Sequence, residues 1–141
     1  MNDGIQRLLI FRIQGNRYAM DLQDVAEVLD PPGMFPVPWA PSCIRGAINF
    51  HGSLVAVLDL STVMNAGSLD RGGSLLVLDR KIANLALWVE KVDNIVLTDG
   101  VLEEDESSDP LVGSILVMAD GEIRLLALPR LLEQIEETLR R

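Results

Sequence analysis

Residues 44–60, IRGAINFHGSLVAVLDL, constrain the fold of this chain more than any other stretch. Two apolar β-type runs, 44–50 and 54–60, flank the turn residues His51, Gly52 and Ser53. So short a link has no room for a helical crossover, and the runs must pair antiparallel as a hairpin. Gly46, Asn49 and Gly52 stand where a backbone bends sharply or lies close to another surface. The segment holds no nucleophile–base pair and no metal-ligand set. It reads as a docking surface on a rigid scaffold.

Turn signals recur along the rest of the chain. Gly15-Asn16 separates 8–13 from 18–21, and Gly72-Gly73 precedes 74–79. Asp79, Arg80 and Lys81 lie between 75–78 and 82–89, and Asp120-Gly121 parts 114–118 from 123–128. Short runs punctuated this way predict an all-β sandwich or barrel. Asp120-Gly121 is expected to form a type I′ turn, with φ > 0 at both central residues. Antiparallel sheets usually keep one face wet and therefore alternate apolar with polar residues. Residues 8–11, 85–89 and 125–128 are apolar throughout instead. Such strands need cover on both faces, from the interior of their own barrel and from a second barrel or a partner.

Four further segments carry local signals. Residues 22–28 predict a short helical turn leading into a strand around 25–29. Residues 129–140 predict a helix that opens on Pro129, a residue suited to the first helical position. Its Leu131, Leu132, Ile135 and Leu139 fall on one stripe, Glu133, Glu136 and Glu137 face water, and Arg140 and Arg141 complement the negative helix end. The acidic run 103–109 is expected to be a solvated loop, because it lacks the glycine and terminal glutamate of an EF-hand calcium loop. Residues 31–41 hold five prolines, which exclude helix or central strand. They predict a stiff connector pinned against the core by Phe35 and Trp39.

Several function classes are disfavoured. A net charge of −9 and a pI near 4.4 oppose a nucleic-acid partner, which rewards clustered Lys and Arg. No apolar run approaches the ~20 residues of a membrane-spanning helix. The lone cysteine, Cys43, cannot close an internal disulfide and suits a reducing cytoplasm; it reads as a small buried hydrophobe. Glycine-rich phosphate motifs are absent, His51 is the only histidine, and no zinc set can be assembled. The expectation is a non-enzymatic protein without cofactor or metal. Asp59, Asp79, Glu90 and Asp93 are assigned to hydrogen bonds with turn amides.

Taken in order, these residues resemble the CheW-type domain, the adaptor that couples chemoreceptors to a histidine kinase. Pro41, Ile44, Gly46, Asn49, His51, Gly52, Leu54, Ala56, Val57, Asp59 and Leu60 follow its central pattern. Tyr18 through Asp21 followed by Val25, Ala26, Glu27 and Val28 resembles its preceding segment, residues 85–96 its strand pair, and Val112-Gly113 onward to Leu131-Leu132 its closing hairpin and helix. Two positions depart from the pattern: His51 replaces an arginine and Ala56 a proline.

The resemblance implies an all-β fold of two packed five-stranded SH3-like barrels with a short C-terminal helix. Residues 20–75 are expected to form one barrel, 1–19 with 76–128 the other, and 129–141 the helix. It also implies two protein partners, the regulatory domain of a CheA-type histidine kinase and the cytoplasmic tip of a chemoreceptor. Val25, Glu27, Val28, Gly46, Asn49, His51 and Gly52 would lie at or beside the surfaces that bind them.

Overall fold

The computed structural model describes residues 4–69 and 71–139. The chain divides into two compact units, one from residue 23 to 92 and the other from the chain before 23 and after 92. In chain order the strands are β1 (Arg7–Ile13), β2 (Asn16–Asp21), β3 (Val25–Leu29), β4 (Ile44–Phe50), β5 (Ser53–Asp59), β6 (Ser74–Leu78), β7 (Leu85–Val89), β8 (Lys91–Leu97), β9 (Glu103–Glu106), β10 (Val112–Met118) and β11 (Gly121–Leu126). The helices are the single turn α1 (Leu60–Val63) and α2 (Leu128–Leu139). A 3-10 turn, Leu22–Asp24, leads into β3 as expected.

The first unit is a five-stranded sheet in the order β3-β6-β7-β5-β4. β4 and β5 pair antiparallel, β5 and β7 parallel, and β6 pairs antiparallel with both β7 and β3. Residues two apart share a face of a strand. Ile48, Val55, Val57, Leu75, Val77, Ala86 and Trp88 accordingly meet in one core, and the Trp88 indole N–H donates to the Gly72 carbonyl at 2.8 Å. β7 is buried at all five positions, so neither of its faces meets water.

The second unit orders its six strands β8-β1-β2-β11-β10-β9. Leu8, Ile10, Ala19, Leu116 and Ile123 form its core. Leu9 and Phe11 alternate with these and are buried too, as strands apolar on both faces require. Leu128, Leu131 and Ile135 bury one side of α2. The run β1-β2-β11-β10-β9 repeats the spatial pattern of β4-β5-β7-β6-β3, with antiparallel and parallel joins in the same places. The chain threads the two patterns in different orders: β9 follows its hairpin, whereas β3 precedes its own.

Five expectations need correction. The division near residue 75 does not hold, because β6 and β7 complete the sheet of β3, β4 and β5. One sheet has six strands, since the acidic run supplies β9, whose backbone pairs with β10 while all four carboxylates stay in water. Met118 pairs with Gly121, so the final hairpin turns on Ala119 and Asp120, and positive φ occurs only at Gly121. Leu139 is exposed at the end of α2, past the buried positions. Phe35 and Trp39 do not pin the connector, for both rings face solvent; the backbone holds it through reciprocal Phe35–Ala47 hydrogen bonds of 2.8 Å. Arg140 and Arg141 lie outside the described residues.

Candidate partner-binding surface

The β4–β5 hairpin is built as its residues dictate. Phe50 pairs with Ser53, leaving a two-residue loop in which φ is 50° at His51 and 86° at Gly52. Two successive positive φ values match the right-handed twist of the flanking strands. The Asn49 carboxamide oxygen accepts from the Gly52 N–H at 3.0 Å and locks the turn. His51 projects into solvent, with the Phe50 ring edge-on at 4.3 Å between centroids.

Its Nε2 reaches Glu27 Oε1 on β3, 3.4 Å away. β3 and β4 are the two edges of their sheet. Contact between one edge and the turn of the other shows that the sheet curls so that its two edges approach. Glu27 and Val28 are exposed on β3 and Val25 is half-buried. The fold therefore brings Glu27, His51, Asn49 and Gly52 to one exposed face.

Gly46 does not join that face. It is buried in β4, and a Cβ built on it would lie 2.8 Å from the Phe35 carbonyl oxygen and 3.0 Å from Met34 Cβ. Its missing side chain makes room for the connector, not for a partner.

The hairpin base is fastened by a residue assigned beforehand only to turn hydrogen bonding. Asp59 is 0% exposed and accepts from the Ser61 N–H at 3.0 Å, the Leu69 N–H at 2.9 Å and Arg45 Nη1 at 3.1 Å. The Arg45 guanidinium also lies over the Trp88 ring, 5.8 Å from its centroid. Cys43 precedes β4, and burial pushes its thiol pKa up, with the Asp59 charge adding in the same direction. Asp79 behaves as expected, accepting from the Lys81 N–H at 2.9 Å, whereas Asp93 accepts from the Arg12 side chain at 2.7 Å.

Beside His51 a cleft of about 200 Å³ opens between the β4–β5 turn and the β6–β7 turn, with Phe50, Val55, Val77 and Leu85 among its lining residues and Arg80 at the same site. Exposed apolar side chains complete the neighbourhood in sequence: Val28 on β3, Leu54 on β5, and Phe35, Val37 and Trp39 on the connector. Of the last three, Phe35 and Trp39 were expected to pack inward and Val37 was not singled out. Apolar residues are expected to seek the core, and only the density of prolines around them signals a backbone too stiff to turn them inward.

A family model described as CheW-like domain matches residues 7–136. The Rhizobium etli protein described as probable chemotaxis protein CheW is 23% identical over 106 residues, spanning 73% of this chain and 68% of that one. Among solved structures, the scaffolding protein TtCheW from Thermoanaerobacter tengcongensis superposes with a TM-score of 0.74 at 20% identity, covering 90% of this chain and 87% of the other. At that identity the likeness is one of fold.

Proposed function

The chain belongs to the CheW-like domain family, and on that premise we propose that it is a non-enzymatic, cytoplasmic adaptor coupling chemoreceptors to a histidine kinase. Its partners are then the kinase's regulatory domain and the receptor's cytoplasmic tip. The observation that carries this reading is the meeting of Glu27 and His51, distant in sequence, on an exposed face. Val28 and Leu54 offer apolar area beside them, and apolar burial supplies most of the free energy of association. The charged pair sets selectivity and encounter rate more than affinity. Contacts of standard or smaller size, roughly 800–1,600 Å² in total with each partner, suit an assembly that must form and rearrange.

A ligand-sensing or regulatory double-barrel module of a divergent, non-chemotaxis two-component system is the rival reading. The cleft beside His51, at about 200 Å³, falls below the ~300–1,000 Å³ of ordinary small-molecule pockets, and a larger depression of about 530 Å³ is lined by Arg12, Arg17, Asp120, Glu122 and Arg124 rather than by the apolar side chains such pockets favour, which supports the adaptor. The test is co-purification with the histidine kinase and the receptor fragment encoded nearest to this chain. Capture of both is expected; capture of neither, by a chain with a cooperative melting transition, overturns the reading. His51→Arg should tighten binding severalfold, since arginine offers a rigid fork of permanently charged donors to Glu27 and to a partner. An unchanged affinity would place position 51 outside the contact.

A further inference from the structure

The cleft beside His51 is an apolar hollow with a charged lip. Val55, Val77, Leu78 and Leu85 line it and are buried, and Phe50 is half-buried beside them. The lip carries His51 and Arg80, both exposed, and no carboxylate of the described residues lines it. Hydrogen bonds fix the β6–β7 turn from which Arg80 projects. The Asp79 carboxylate accepts from the Lys81 N–H at 2.9 Å, and the Asp79 carbonyl accepts from the Ile82 and Ala83 N–H groups at 2.9 and 3.2 Å. Asn84 Nδ2 donates to the Leu54 carbonyl at 2.6 Å, which ties this turn to β5. A cleft shaped before its occupant arrives gives up little conformational freedom on binding.

Size and charge name the occupant. An apolar cavity of about 150 Å³ holds a single benzene ring. About 200 Å³ therefore takes one side chain of leucine or phenylalanine size. Arg80 adds a demand for a carboxylate. In a chain with 21 acidic residues against 12 basic ones, no carboxylate of the described residues forms an ion pair with it. Asp79 is engaged by the turn amide, and Glu27 faces His51 at 3.4 Å. A partner that covers the cleft excludes water from the guanidinium, and the lower dielectric strengthens its attraction for an anion.

We propose that this cleft is a socket for one apolar side chain of a protein partner, with Arg80 pairing to a carboxylate beside that side chain. The inference rests on the adaptor reading and makes Arg80 a residue that selects the partner.

Charge reversal and charge swap test it. Arg80→Glu changes an exposed side chain and should melt with the native chain. It should bind either the kinase regulatory domain or the receptor fragment at least about tenfold more weakly. Lysine placed in turn at each surface Asp and Glu of that partner should recover the affinity at one position, a rescue that a purely structural role of Arg80 would not give. Ser53→Phe, which fills the cleft from its lining, should weaken the same complex and leave the other unchanged. Native affinity of Arg80→Glu for both partners, or a loss that no lysine rescues, overturns the socket and leaves the adaptor intact. No complex of the native chain with either partner overturns both. Should Arg80→Glu instead disperse a dimer of the chain alone, or abolish a rise in melting temperature with hexanoate while both complexes persist, the cleft belongs to a second copy or to a free apolar carboxylate.

Discussion

Gly46 and Gly52 lie six residues apart in one hairpin, yet substitution should expose opposite roles. A methyl at Gly46 meets the Phe35 carbonyl at 2.8 Å, where φ is already 156°. We expect Gly46→Ala to cost about 1–3 kcal/mol in urea denaturation, with Gly46→Asp worse because it buries a charge. At Gly52 nothing lies within 4 Å of a built Cβ, and φ is 86°. Gly52→Ala should cost only about 1 kcal/mol, from the backbone alone. Equal losses at the two sites would show that the connector yields. A sequence announces that a glycine needs no Cβ, but not which neighbour forbids one; Gly46 was legible as special and illegible as buried. Cys43 provides a chemical probe of the same region. Cys43 is half-buried and partial burial raises its thiol pKa, so iodoacetamide should label the folded chain more slowly than the chain unfolded in guanidinium. Fast labelling of the folded protein would contradict that burial.

Among the elements, α2 shows what periodicity can and cannot reveal. Helical spacing correctly placed Leu131 and Ile135 on the buried side but gave no sign that Leu139 runs past the surface they cover. Leu131→Ala should lose about 2–5 kcal/mol, and Leu139→Ala should stay within about 0.5 kcal/mol. Similar losses at both would extend the cover along the whole helix. The acidic run was misread for a related reason: charge reports solvation, and β9 is solvated through its side chains while its backbone completes a ladder with β10. The turn of the β10–β11 hairpin is tied to β2 by Arg17, whose Nη1 and Nη2 donate to Asp120 at 3.2 and 3.3 Å. Hydrogen bonds from Arg17, and then its charge, hold the Asp120 pKa below the usual value. A carboxyl depressed in this way contributes above the pKa of the unfolded chain and loses its contribution as pH falls through the folded one. Carbon-detected titration should therefore find Asp120 ionised further into acid than an ordinary aspartate, and Arg17→Gln should abolish the difference. The tie is solvent-exposed, so the effect on melting should be slight.

At the scale of the whole molecule, one spatial pattern of five strands occurs twice. The two hairpins that open the patterns even share their turns, with φ of 51° and 80° at Gln14 and Gly15 against 50° and 86° at His51 and Gly52. No repeat is readable in the sequence, because the chain threads the patterns in different orders and each core is met by different residues. What could be read was the class, from short apolar runs between turns, and the β4–β5 hairpin itself, from glycines and asparagine at bends. The exposure of Phe35 and Trp39 was hidden, since apolar rings are expected to pack inside. The acidic border of β9 has a consequence for the molecule among its own kind. An open strand edge is a template on which identical chains can stack, and four carboxylates along it make every such approach a meeting of like charges. Light scattering should stay flat for the native chain in dilute buffer, while a variant carrying Glu104→Thr and Glu106→Thr should aggregate with its melting temperature little changed. Concentrated salt, which shortens the reach of that repulsion to a few ångströms, should bring the native chain part of the way to the same state, so colloidal behaviour here is set by one short strand.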